Sequence, residues 1–126
     1  MKLKEYFETT KGMGVLSTAD GDGKVDAAIY SRPHFMEDDK LAFIMRDRLS
    51  HKNLLSNPHA TYLFKEDGAG YNGKRLYLVK VKEENDPERI SQFRRRKPSS
   101  AKNADEAIFL VFFKLEKERP LIGADE

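Results

Sequence analysis

The chain has no cysteine. Disulfides, thiolate metal sites and thiol nucleophiles are therefore excluded. Histidine is scarce: the three residues are His34, His51 and His59, too scattered for a zinc motif. No apolar run approaches the roughly 20 residues that a membrane span needs; the longest covers 107–113. The opening Met-Lys-Leu-Lys-Glu-Tyr-Phe lacks an apolar segment of the kind a signal peptide carries. A cytoplasmic location is expected by default, with no membrane partner. Charge of one sign is also in short supply. A net charge of +2 is too small to imply a nucleic-acid partner. Apolar residues make up only 39% of the chain and charged residues 35%. That balance describes a solvated surface over a modest core, completed by a partner subunit.

With 126 residues, 1–126 reads as one domain. Leu3, Tyr6 and Phe7 recur at helical spacing, which predicts a short amphipathic helix over 2–10, ended by Gly12 and Gly14. A β-prone stretch at 15–18 runs into Asp20-Gly21-Asp22-Gly23, a strong hairpin signal, and 24–32 is the expected returning strand. Pro33 closes it, because proline cannot donate to a ladder. Strands are also predicted at 40–45, 60–64, 74–82 and 108–115. The last is apolar on both faces over 109–113, which suits a strand covered by the core on one side and by a second subunit on the other. Asp86-Pro87-Glu88 predicts a capped helix running to about 96, and the polar stretch 98–105 a mobile loop. Strands grouped as hairpins favour a mainly β, six-stranded antiparallel barrel with two or three short helices.

One corner carries the densest polar chemistry. Arg46-Asp47-Arg48-Leu49-Ser50-His51-Lys52-Asn53-Leu54-Leu55-Ser56-Asn57-Pro58 passes from strand to short helix. Ser50 is placed as the N-cap, Leu54 and Leu55 as inward-facing, and Asn57-Pro58 as the stop. A phosphate needs cationic donors, a hydroxyl and helix-start N–H groups, and such a corner supplies all three. In an extended segment Arg46 and Arg48 point to the same side. The N–H groups of His51 and Lys52 are expected as first-turn donors. Arg32 adds charge if the strand ends are neighbours. The same residues also fit a plain basic rim with Ser50 merely capping its helix.

The chain resembles the pyridoxamine 5'-phosphate oxidase-like, FMN-binding split-barrel family. The resemblance rests on three stretches: Gly14-Val-Leu-Ser-Thr-Ala-Asp-Gly-Asp-Gly, Val25-Asp-Ala-Ala-Ile-Tyr-Ser-Arg-Pro, and Leu41-Ala-Phe-Ile-Met-Arg-Asp-Arg-Leu-Ser-His-Lys-Asn-Leu-Leu-Ser-Asn-Pro. It covers about 5–82 and, beyond that, the final apolar strand. It implies a split β-barrel holding FMN, with Arg46, Arg48, Ser50, His51, Lys52 and Asn53 at the phosphate. It places the flavin ring along Asp26, Ala27, Ala28 and Ser31, where backbone groups meet its polar edge. It also implies a homodimer with flavin at the interface, and an oxidoreductase moving electrons or hydride between FMN and a small partner. A non-catalytic flavin-binding or sensing module and a split barrel using a deazaflavin are the alternatives. The basic residues are spaced differently from those of the oxidase itself, and no segment for pyridoxine phosphate is evident, so that specific activity is not expected.

The remaining features have duller readings beside sharper ones. His51 is read as a binding contact or a surface residue before a general acid. Arg94-Arg95-Arg96-Lys97 suits a helix C-terminus before a phosphorylated ligand. No serine–histidine–aspartate pattern or paired carboxylates appear, which fits chemistry that belongs to a cofactor. No histidine is placed with conviction as a haem ligand.

Overall fold

The computed structural model describes residues 2–93 and 107–123. Seven strands form one antiparallel sheet: β1 (Gly12–Ala19), β2 (Val25–Ile29), β3 (His34–Phe35), β4 (Lys40–Arg46), β5 (His59–Glu66), β6 (Gly73–Glu84) and β7 (Ile108–Pro120). Their order is β2-β1-β5-β6-β7-β4-β3. The two outermost strands, β2 and β3, are joined by only residues 30–33, so the chain brings opposite ends of the sheet together. The sheet therefore curls into a barrel whose seam is crossed by this link rather than by a ladder. The expected returning strand over 24–32 is shorter, and the two-residue β3 beyond Pro33 raises the strand count from the expected six to seven.

Among the described residues three short helices accompany the sheet. They are α1 (Leu3–Thr9), α2 (Leu49–Ser56) and α3 (Pro87–Ser91). None is long and apolar enough to cross a membrane. The β1–β2 turn forms as its sequence predicts. Asp20 Oδ1 accepts from the N–H groups of Asp22 and Lys24, both at 2.9 Å, and Gly23 adopts a φ of 85°.

The barrel interior is filled by Leu16, Leu41, Phe43, Met45, Tyr62, Phe64, Leu76, Leu78, Val111 and Phe113, with Phe7 of α1 inserted at one end. Phe7 meets Phe64 edge-on at 5.0 Å and stacks on Phe35 at 5.9 Å between centroids. Gly12 and Gly14 do not end α1; both lie in β1. Gly14 has a packing reason to be glycine, since a Cβ there would fall on the Tyr62 hydroxyl. That hydroxyl donates instead to the Tyr30 carbonyl at 3.1 Å.

The apolar character of β7 on both faces has a cause within the chain. Val111 and Phe113 face the barrel, while Leu110 and Phe112 join Ala42 and Ile90 in a second cluster, flanked by Phe93. Ile90 belongs to α3, so this chain's own helix packs on that outer face. The helix starts as predicted, with Pro87 in its first turn and the Asp86 side chain accepting from Glu88 N–H at 3.1 Å. The basic run at 94–97 and the polar stretch 98–105 lie outside the described residues.

Truncating Ile90 to alanine tests this arrangement. The expected cost is about 2–5 kcal/mol in urea unfolding, as for large-to-small core changes, with no change in oligomeric size by light scattering. A shift in size with stability intact would show that α3 is not the cover.

Candidate functional site

The strand-to-helix corner after β4 is held by polar contacts. Asp47 N–H reaches the Ala107 carbonyl at 3.2 Å, and Arg48 N–H donates to the Arg46 carbonyl at 2.8 Å. The chain therefore turns sharply at Asp47 and does not run extended from Arg46 to Arg48. Arg48, not Ser50, occupies the N-cap position, with no side-chain cap bond. The first intrahelical bond runs from Lys52 N–H to the Arg48 carbonyl at 3.0 Å. The N–H groups ahead of the ladder are thus those of Leu49, Ser50 and His51, starting two residues earlier than the sequence suggested. Arg46 is half-buried, Arg48 and Lys52 are exposed, and Ser50 is buried in the first turn.

His51 and Asn53 bind the helix to the barrel. His51 is buried and stacks on Phe109, with centroids 4.0 Å apart and planes within 10°. Its Nδ1 lies 3.0 Å from Asp47 Oδ1, and its Nε2 lies 3.0 and 3.1 Å from the two Glu83 oxygens. Both ring nitrogens therefore face carboxylates, and what His51 offers the corner is its backbone N–H. The surface reading of this residue is overturned by its burial. Asn53 Nδ2 donates to Thr18 Oγ1 at 3.0 Å with both groups buried, which ties α2 to β1. Leu54 faces inward as expected, whereas Leu55 is exposed.

Glu83 reaches His51 because of a bulge. The β6–β7 register shifts between Lys80 and Lys82, leaving Val81 as an extra residue. In a regular strand, residues three apart point to opposite faces. The bulge re-aims the strand, so Lys80 Nζ meets Glu83 Oε1 at 2.6 Å. Burial pushes the Glu83 carboxyl up, but the hydrogen bonds and charges of Lys80 and His51 outweigh it and hold the group below its ordinary value.

The second half of the corner is β2. Among the described residues its only strand partner is β1, so one side of it is a sheet edge. Tyr30 N–H donates to the Gly14 carbonyl at 3.0 Å. With Leu16 opposite Ala28 and Thr18 opposite Asp26, that bond fixes which residues exchange ladder bonds. Ala27 and Ile29 then direct their N–H and C=O groups away from β1, toward the edge. Ala27 and Ser31 are exposed and Ala28 is half-buried. Asp26, Ala28 and Tyr30 share the other face of the strand. Burial pushes the Tyr30 hydroxyl's titration up and outweighs the opposing pull of Ser50 and Arg48, with the Asp26 charge adding to the rise. The structure thus brings Ala28, Arg48 and Ser50 to one junction. Arg32 is directed elsewhere: its Nη1 donates to the Phe7 and Thr10 carbonyls at 2.8 and 3.0 Å, closing the end of α1.

No protein-family model matches the chain, and no curated protein sequence matches it. Solved structures do. An FMN-binding protein from Syntrophomonas wolfei subsp. wolfei superposes with a TM-score of 0.74 at 20% identity, over 98% of this chain and 86% of that one. An F420 reductase gives 0.69 at 13% identity, over 94% and 98% of the two chains. A protein from Listeria innocua, described as a candidate pyridoxamine 5'-phosphate oxidase, gives 0.60 at 21%, over 93% of each. The chain therefore has the split-barrel fold of FMN-binding, pyridoxamine 5'-phosphate oxidase-like proteins.

The Glu83 clamp has a pH signature. Its carboxyl titrates lower in the fold than in the unfolded chain, so the unfolded state takes up its proton first on acidification. The stabilisation is complete above the ordinary glutamate value of about 4.3 and is lost as pH falls through the lower folded value. Glu83→Gln should flatten the acid limb of a stability-versus-pH curve measured by urea unfolding. An unchanged slope would remove Glu83 from the clamp.

Proposed function

We propose that this protein binds FMN, holding its phosphate at the start of α2 and its ring along the edge of β2. One observation carries the reading: a helix start flanked by Arg46 and Arg48 lies beside an edge strand whose backbone groups at Ala27 and Ile29 point outward. Arg46, Arg48, Lys52, the Ser50 hydroxyl and the N–H groups of 49–51 suit a dianion, which favours charge-assisted donors and a helix N-terminus. The small Ala27 and Ala28 admit a flat ring beside the strand. Ser31 continues that edge, while His51 and Asn53 keep the helix in place through the contacts described above.

Bound FMN would supply one- or two-electron transfer at its ring. The protein's own residues bind, orient and shield, and the reaction proposed is electron or hydride transfer between flavin and a small partner in the cytoplasm. The FMN-binding neighbour favours FMN, and the F420 reductase neighbour supports a deazaflavin in the same place. Anaerobic reduction by NADH or NADPH separates an enzyme from an inert flavin-binding or sensing module.

A homodimer is part of the same reading, and the exposed outer face around β2 suits its interface better than β7, on which α3 packs. On the outer sheet face Ile29, Val15 and Leu63 lie side by side in register. Ile29 is 73% exposed and Val25 82%. Such a contiguous apolar stripe beside the ring strand suits a second copy of the chain.

The absorption spectrum of freshly purified protein should show bound flavin. Arg48→Ala should weaken FMN about tenfold in titration, the scale of one charge-assisted hydrogen bond. An unaltered dissociation constant would displace the phosphate from this corner. For the assembly, Leu63→Asp should convert a species of twice the chain mass into one of single mass by light scattering. A dimer of undiminished size would count against that face.

A further inference from the structure

The turn between β5 and β6 ends on the one Asn-Gly dipeptide of the sequence, Asn72-Gly73. The fold demands that glycine, since a Cβ at 73 would fall on the Phe64 carbonyl oxygen. The last rung of the β5–β6 ladder runs from Glu66 N–H to the Asn72 carbonyl at 2.9 Å. Glu66 and Asn72 are thus a bonded pair, so the adjoining pair, Lys65 and Gly73, exchanges no ladder bond. The Gly73 N–H is therefore directed away from β5. On the other side it is the Gly73 carbonyl that is engaged, accepting from Leu121 N–H at 3.2 Å. Asn72 is exposed, and Gly68 and Gly70 precede it in the turn, both at positive φ.

We propose that Asn72 is a site of spontaneous covalent modification, deamidated by attack of the Gly73 amide nitrogen on its side-chain carbonyl. The nitrogen gives up its proton and bonds to Asn72 Cγ. The Cγ–Nδ2 bond breaks, and Nδ2 leaves as ammonia with that proton. The succinimide takes up one water and opens to aspartate or isoaspartate. The net change is water in and ammonia out, with no oxidant or reductant. In the isoaspartate product the main chain runs through the former side-chain carbon, and the carbonyl that accepted from Glu66 becomes a carboxylate. A new negative charge then stands beside Glu66, whose own carboxylate already accepts the Tyr6 hydroxyl at 2.6 Å. The other described asparagines are poorer substrates. Asn53 is buried with its Nδ2 bound to Thr18. Asn57 precedes Pro58, which has no N–H to attack with. Asn85 precedes Asp86, whose side chain crowds the amide.

The test ages the folded protein at mildly alkaline pH and maps its peptides by mass. The peptide carrying residue 72 should gain the amide-to-acid increment before those carrying 53, 57 or 85. It should separate into two forms, one of them a substrate for isoaspartate methyltransferase. The rate at 72 should be similar in the folded and the urea-unfolded chain, because the fold leaves this amide uncovered. Asn72→Gln should abolish the early gain and leave the circular dichroism unchanged. Hydrogen exchange at Glu66 should quicken in the aged protein and not in aged Asn72→Gln. Reaction first at another asparagine, or at 72 only in urea, would overturn the assignment. Unchanged exchange at Glu66 would overturn the effect on the ladder.

Discussion

The contact on which the rest depends is the imidazole of His51 between the carboxylates of Asp47 and Glu83, stacked on Phe109. It joins the β4–α2 corner, β6 and β7 through one buried side chain. A neutral imidazole donates from one nitrogen only, whereas both nitrogens here face carboxylate oxygens. Without that clamp α2 would meet the barrel mainly through Leu54 and the Asn53–Thr18 bond. A helix of eight residues is too short to be stable alone. Its placement, and with it the direction of its leading N–H groups, is therefore a tertiary property.

The same logic runs through the other half of the corner. Gly14 leaves room for the Tyr62 hydroxyl, which fixes the Tyr30 carbonyl. A small residue in the barrel wall thereby positions the backbone at its rim. Arg32, drawn to the end of α1, shows the reverse case of a basic residue near the rim enlisted for the fold.

Much of the architecture was legible in the sequence because it rests on local chemistry. Asp20-Gly21-Asp22-Gly23 announces its turn, Asp86-Pro87 its helix start, and Asn57-Pro58 a helix stop. What stayed hidden depends on distant partners. Gly14 reads as a helix breaker until Tyr62 is placed opposite it. The apolar outer face of β7 gives no sign that Ile90 packs on it. Glu83 gives no sign of meeting His51, because only a bulge at Val81 turns it that way. Ser50 reads as a cap by residue type, but the sharp turn at Asp47 moves the helix start back. Tyr30 shares the period-two face of Asp26 and Ala28, and that alternation was the one available signal for it.

The strand order carries a consequence for how the molecule is made. The final described strand, β7, lies between β6 and β4. Until it is present, β2-β1-β5-β6 and β4-β3 are two separate ribbons, each with an unsatisfied row of amides and carbonyls. Both open borders are the kind of edge that invites mispairing with other chains. The barrel is continuous only once β7 bridges the two ribbons.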